Sequence, residues 1–246
     1  MTPVMRTVGV DLSASPDKTA VAVVDWHHER AALVDLVVGA DDSTIRRLVD
    51  GATRIGIDSP FGWPDEFVEF VVAHHRNELP PGRRLDDIGN RRPLALRRTD
   101  LRVAEAGLGR PLSVSADQIA HVAFRCAGLL ADLGVDDRVG GWAVEAYPAG
   151  ALKRWGLVSR GYKRAANRAV LAALGESLQA AAPWLSLGGH AATTARDDDA
   201  FDAVITALIA RAASLGRTTL PARADRAVAE AEGWIHVPDC DLGDLP

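Results

Sequence analysis

The order of apolar segments along this 246-residue chain predicts an α/β fold. Two observations carry the prediction. Three extended, Val-rich segments open the chain, and helical and extended segments alternate after them, giving β-β-β-α-β-α-β-α. Acidic residues then recur at the edges of the apolar segments: Asp11 after Val8-Gly9-Val10, Asp58 after Ile55-Gly56-Ile57, Glu145 after Trp142-Ala143-Val144, and Asp199 and Asp202 at the head of Ala203–Ala213. A carboxylate at the end of a buried strand costs desolvation energy unless a cation compensates it.

The first three strands are expected over Arg6–Leu12, Thr19–Trp26 and Ala31–Val38, bounded by the turn chemistry of Ser13–Asp17, by polar His27–Arg30 and by Gly39. Asp41-Asp42-Ser43 caps a short helix to about Val49, with Ile45, Leu48 and Val49 on one face. Arg54–Asp58 reads as a brief buried strand stopped by Pro60, and Pro64 opens a helix to about Arg76. Asn77–Pro93, rich in Pro, Gly, Arg and Asp, reads as a long loop. Helix Ser115–Leu133, strand Gly141–Tyr147, a helix from Pro148 to Trp155 and helices Lys163–Ala181 and Asp198–Ser214 follow. A small helix near Ala222–Glu232 leads into a strand at Gly233–Val237. The chain carries no internal repeat and no low-complexity tract.

Composition is that of a soluble globular protein, and the length permits a substantial core. The net charge of −5 argues against indiscriminate electrostatic binding to nucleic acid, although positive charge concentrates between Arg76 and Arg102. Cys126 and Cys240 form no CxxC motif, which fits a reducing compartment. The run before Asp11 is too short for a signal-peptide core, and no segment reaches the roughly 20 apolar residues of a membrane helix. A cytoplasmic protein without membrane contact is the expectation.

Each acidic position admits two readings. Asp11 serves as a turn residue, or as a ligand at the carboxyl end of a central strand. Asp58, with Pro60 fixing the chain just beyond it, admits the same pair. Glu145 is disfavoured inside a strand, and either faces solvent or belongs to a site. Asp197 and Asp198 are explained as helix cap and first-turn acids. Asp202 shares a helical face with Asp199 and sits among Ala200, Phe201, Ala203 and Val204, where no cap explains it. The histidines lack zinc-ligand spacing, and Ser59 lacks a nucleophile-elbow setting. P-loop and dinucleotide-binding glycine motifs are absent.

With these pieces in order along the chain, the sequence resembles the ribonuclease H-like fold and, more specifically, domain-of-unknown-function family 429 (DUF429), predicted nucleases of that fold. The matching motifs are Gly9-Val10-Asp11, Ile57-Asp58-Ser59-Pro60, Arg97-Arg98-Thr99-Asp100, Val144–Pro148, Tyr162-Lys163 with Arg168, and Asp198–Ala203. One departure is Leu12-Ser13-Ala14, which lacks the glycines often found after this aspartate in relatives. The resemblance implies a single domain over 1–246 with a mixed five-stranded sheet flanked by helices, and an insertion at about 77–114 after the fourth strand. It implies metal-dependent phosphodiester hydrolysis of DNA or RNA. Asp11 would bridge two Mg²⁺ or Mn²⁺ ions about 4 Å apart, with Asp58 and Asp202 each completing one side. Glu145 or Asp199 would supply a further ligand or hold metal-bound water, and Arg97, Arg98, Lys163 and Arg168 would hold substrate phosphates. An actin-like ATPase would want a glycine-rich turn where Leu12-Ser13 stands, and an Asp-x-Asp phosphatase fails at Ser13. The remaining rival is an inactive module of the same fold that binds nucleic acid or a partner without cutting.

Overall fold

β-Branched and alanine-rich segments meet in a mixed sheet. The computed structural model describes residues 5–246. β1 (Met5–Asp11), β2 (Ala20–His27) and β3 (Arg30–Val38) form an antiparallel meander, and the β2–β3 turn is closed by His28 at φ +50°. β4 (Arg54–Asp58) runs parallel to β1, and β5 (Ala143–Ala146) parallel to β4. Two-residue strands add to both edges: β6 (Leu185–Ser186) beside β3 and β7 (Ile235–His236) beside β5. The spatial order is β6-β3-β2-β1-β4-β5-β7, seven strands where five were expected. The excess lies at the edges. A two-residue strand is too short to leave a period-2 signature, so β6 was invisible in the sequence, whereas β7 falls inside the strand expected at Gly233–Val237.

Alternation sorts the strand side chains onto two faces. Val8, Val10, Val21, Val23, Ile55 and Ile57 pack on one side with α1 (Asp42–Val49) and α5 (Ala120–Asp132). Ala20, Ala22 and Val24 pack on the other, against α6 (Pro148–Arg154), α7 (Arg168–Ala181) and α9 (Asp198–Ser214). α9 is buried along nearly its whole length from Ala200 to Ala213, as expected for a helix apolar on every side. Alanine at five of the eleven positions from Ala203 to Ala213 keeps that helix thin enough to lie against the sheet.

α2 (Asp65–His75) starts after Pro64 as expected. The expected loop Asn77–Pro93 is overturned at its end by α3 (Ile88–Ala95), with Asp87 accepting from Gly89 N at its start and Pro93 tolerated inside. α4 (Arg98–Glu105) follows at once, so helices occupy much of the expected insertion. α5 begins five residues later than expected. The hydroxyl of Ser115 bonds back to Leu94 O (2.7 Å), and Asp117 accepts from Ser113 N (2.7 Å), which together hold a turn there. α7 likewise begins at Arg168 rather than Lys163, because Tyr162 and Lys163 are drawn to Asp202. α8 (Ala191–Thr194) and α10 (Arg226–Glu232) complete ten helices among the described residues. Within these residues no helix is long and apolar enough to cross a membrane.

Candidate metal centre

Asp11 is the last residue of β1, Asp58 is the last of β4, and the two are direct partners in the parallel register. Two residues earlier on each strand, Gly9 pairs with Gly56. Residues two apart point to the same face, so both glycines lie directly behind the carboxylates on the face covered by α9. A Cβ on Gly9 would collide with the backbone of Ala203 and Ala207, and one on Gly56 would stand 2.7 Å from Thr206 O. The missing side chains let α9 press its backbone onto β1 and β4. Asp202 is thereby carried to the strand ends, where one oxygen each from Asp11, Asp58 and Asp202 lies within 4.8 Å of the others.

Asp202 is wholly buried; its Oδ1 accepts from Tyr162 Oη (2.8 Å), and its Oδ2 faces Lys163 Nζ at 2.6 Å. Burial pushes the Asp58 carboxyl up to about 7, with Lys163 opposing the rise and Asp202 and Glu145 adding to it. Burial and the neighbouring Asp202 and Asp58 hold Asp11 well above the usual carboxylate range. Asp202 is raised by burial despite Lys163 and Tyr162. Two buried carboxylates and the half-buried Asp58, with the Lys163 ammonium beside Asp202, form a site short of positive charge, and their all-oxygen donor set suits a hard divalent cation.

The cluster lies in a cleft of about 770 Å³ whose lining also includes Lys18, Lys163, Arg164, Arg168 and Arg196. Asp199, one turn before Asp202, is half-buried in this lining, and burial together with Asp198 and Asp197 pushes it up to about 6. Asp197 caps α9 by accepting from Ala200 N (2.9 Å), as its position in the sequence foretold.

Glu145 departs from the expected role. It is in register with Ile57 rather than Asp58, and a one-residue offset sends its side chain to the opposite face of the sheet from Asp11 and Asp58. There it is buried but fully engaged: Oε1 accepts from Arg97 Nη2 (2.6 Å), and Oε2 accepts from Arg97 Nη1 (2.8 Å) and Phe61 N (2.9 Å). Arg97 departs with it. Its guanidinium, 2% exposed, also pairs with Asp100 (3.0 Å) and donates to Glu232 O (3.2 Å), which leaves it no fork to offer a phosphate. Arg98 projects from the first turn of α4 toward Asp225 (3.5 Å) and is not part of the cleft lining. Of the four expected phosphate ligands, Arg97, Lys163 and Arg168 line the cleft; Arg97 is engaged there by Glu145 and Asp100, and the Lys163 ammonium by Asp202.

The reading of the sequence missed Tyr162 as the hydroxyl donor to Asp202, and Lys18, Arg164 and Arg196 as cleft cations. It also missed a legible signal: Gly-x-Asp occurs both at Gly9-Val10-Asp11 and at Gly56-Ile57-Asp58. A glycine two residues before a strand-end acid marks a face that something must approach closely.

A family model described as a protein of unknown function, DUF429, matches residues 9–226. No curated protein and no solved structure matches the chain.

Proposed function

The chain belongs to the DUF429 family, and from that membership and its buried carboxylates we propose that it is a divalent-metal-dependent hydrolase of nucleic-acid phosphodiesters with a ribonuclease H-like fold. The observation that carries this reading is the meeting of Asp11, Asp58 and Asp202 at the carboxyl ends of adjacent parallel strands. The fold assignment is supported by the β-β-β-α-β opening and by the parallel β1–β4–β5 core of the sheet.

In this reading Asp11, Asp58 and Asp202 would hold Mg²⁺ or Mn²⁺, with Asp199 in the cleft lining outside that group, where it would hold metal-bound water. A bound ion of this kind supplies Lewis-acid polarisation of the phosphoryl oxygen and activation of water. The protein's own residues do the rest. Tyr162 and Lys163 fix the Asp202 carboxylate, and the guanidinium groups of Arg164, Arg168 and Arg196, with the Lys18 ammonium, receive the phosphates of the strand. The cleft lining balances its cations with carboxylates such as Asp197, Asp198 and Asp199, and on a chain of net charge −5 this favours local docking over general adhesion to polyanions.

The test is incubation of the purified chain with Mn²⁺ or Mg²⁺ and a panel of single-stranded, duplex and branched DNA and RNA. Cleavage that disappears in Asp11→Asn and in Asp202→Asn supports the reading. Cleavage unaffected by both substitutions overturns the site, and metal binding without cleavage of any substrate turns the reading to a binding module.

A further inference from the structure

Lys163 brings an ammonium to the carboxylate cluster. Its Nζ lies 2.6 Å from Asp202 Oδ2, while the preceding residue, Tyr162, donates to Asp202 Oδ1. Two consecutive residues thus face the two oxygens of one buried carboxylate, Tyr162 through a hydrogen bond and the partly exposed Lys163 through an ion pair. Tyr162 is itself buried, its ring set edge-on to Phe201 with centroids 5.9 Å apart, so it anchors the segment from which Lys163 reaches in. The next residue, Arg164, is held at φ +80° and ψ 149°, a backbone conformation that L-residues keep only where their surroundings over-determine it. The segment is pinned on Asp202 rather than resting near it.

We infer that the Lys163 ammonium fills the second cation position of the carboxylate cluster, so that the site takes one divalent ion per chain and not two. This rests on the reading of Asp11, Asp58 and Asp202 as metal ligands. Charge and ligand count both lead there. Three carboxylates and one ammonium leave two negative charges, which one divalent ion cancels and two would overshoot. A second ion would also need further ligands. The other carboxylate near the strand ends, Glu145, lies on the other face of the sheet with both oxygens held by Arg97. Asp199 remains outside the group of oxygens that lie within 4.8 Å of one another.

The experiment is a Mn²⁺ titration of the metal-free chain by calorimetry, with bound manganese counted after desalting, on wild type, Lys163→Met and Lys163→Arg. One ion in wild type, two in Lys163→Met and one in Lys163→Arg is the expected result. Two ions in wild type overturn the inference while leaving the metal site in place, and so does a single ion in a folded Lys163→Met. No bound ion in wild type overturns the metal site itself. Should Lys163→Met lose its circular-dichroism signature, Lys163→Gln takes its place, and the wild-type count decides the question without any variant. One bound ion with no cleavage of any nucleic acid leaves this inference standing and removes the hydrolase reading.

Discussion

Asp11 and Asp58 are side-by-side partners on parallel strands, and both are kept protonation-prone first by burial and then by the nearby charge of Asp202. Both groups have folded-state pKa values above their unfolded ones, so at neutral pH their ionisation opposes folding, and the opposition fades as pH falls. The cluster therefore costs the metal-free protein stability, and a bound cation would relieve that cost.

Asp11→Asn is therefore expected to raise the unfolding temperature of the metal-free protein, by about 2–4 °C for each kcal/mol of repulsion removed. The same variant should lose the upward shift that Mn²⁺ gives the wild type. Thermal scans with and without the ion check both halves. A metal-free Asp11→Asn that melts below wild type contradicts this account of the cluster.

Arg97 is expected to matter for stability rather than for phosphate binding. Arg97→Met would leave Glu145 and Asp100 buried without their cation, a loss of about 3–5 kcal/mol. Removing Glu145 as well, in Arg97→Met/Glu145→Met, should restore part of that loss, and denaturant titrations of the double-mutant cycle measure the coupling. Strictly additive losses would mean that the pair is not the unit described.

His236 should make the protein acid-labile. It is buried on β7, with Nε2 on Val139 O (2.5 Å) and Nδ1 on Thr218 Oγ1 (2.7 Å). A carbonyl only accepts, so Nε2 carries the proton and Nδ1 accepts from the threonine. Burial lowers the His236 pKa to about 4, against the partial support of Val139. Between about pH 6.5 and that value the unfolded chain binds a proton that the folded chain refuses, so stability is lost as pH falls through this window. At pH 5 the loss relative to pH 7 is about 2 kcal/mol from this group alone. His236→Gln should flatten the pH 5–7 stability profile relative to wild type by that amount in urea titrations. An unchanged slope would show that His236 is not the source.

Much of the site was legible before the structure. Asp11, Asp58 and Asp202 stand out because each is a carboxylate that its apolar surroundings would not otherwise keep, and Asp197 was correctly set aside as a cap. Glu145 satisfies the same criterion yet does something else. Its fate depends on a one-residue register between β4 and β5, which is set by the packing of distant segments and leaves no local trace. Arg97 could not be assigned without that register, since its partner was unknown. The boundaries that moved, at α5 and α7, are those where side chains such as Ser115 and Lys163 are claimed by distant partners in place of the helix. β6 escaped because two residues carry no period.

The burial of α9 has a consequence in time as well as in space. Its backbone amides are sealed between the sheet and the outer helices, with the Gly9–Gly56 face against one side, so no fluctuation short of dismantling the core can expose them. The amides from Asp202 to Ile209 are expected to exchange with solvent at the rate of whole-molecule opening, among the slowest in the protein. Asp202 is consequently fixed in place for the lifetime of the folded state.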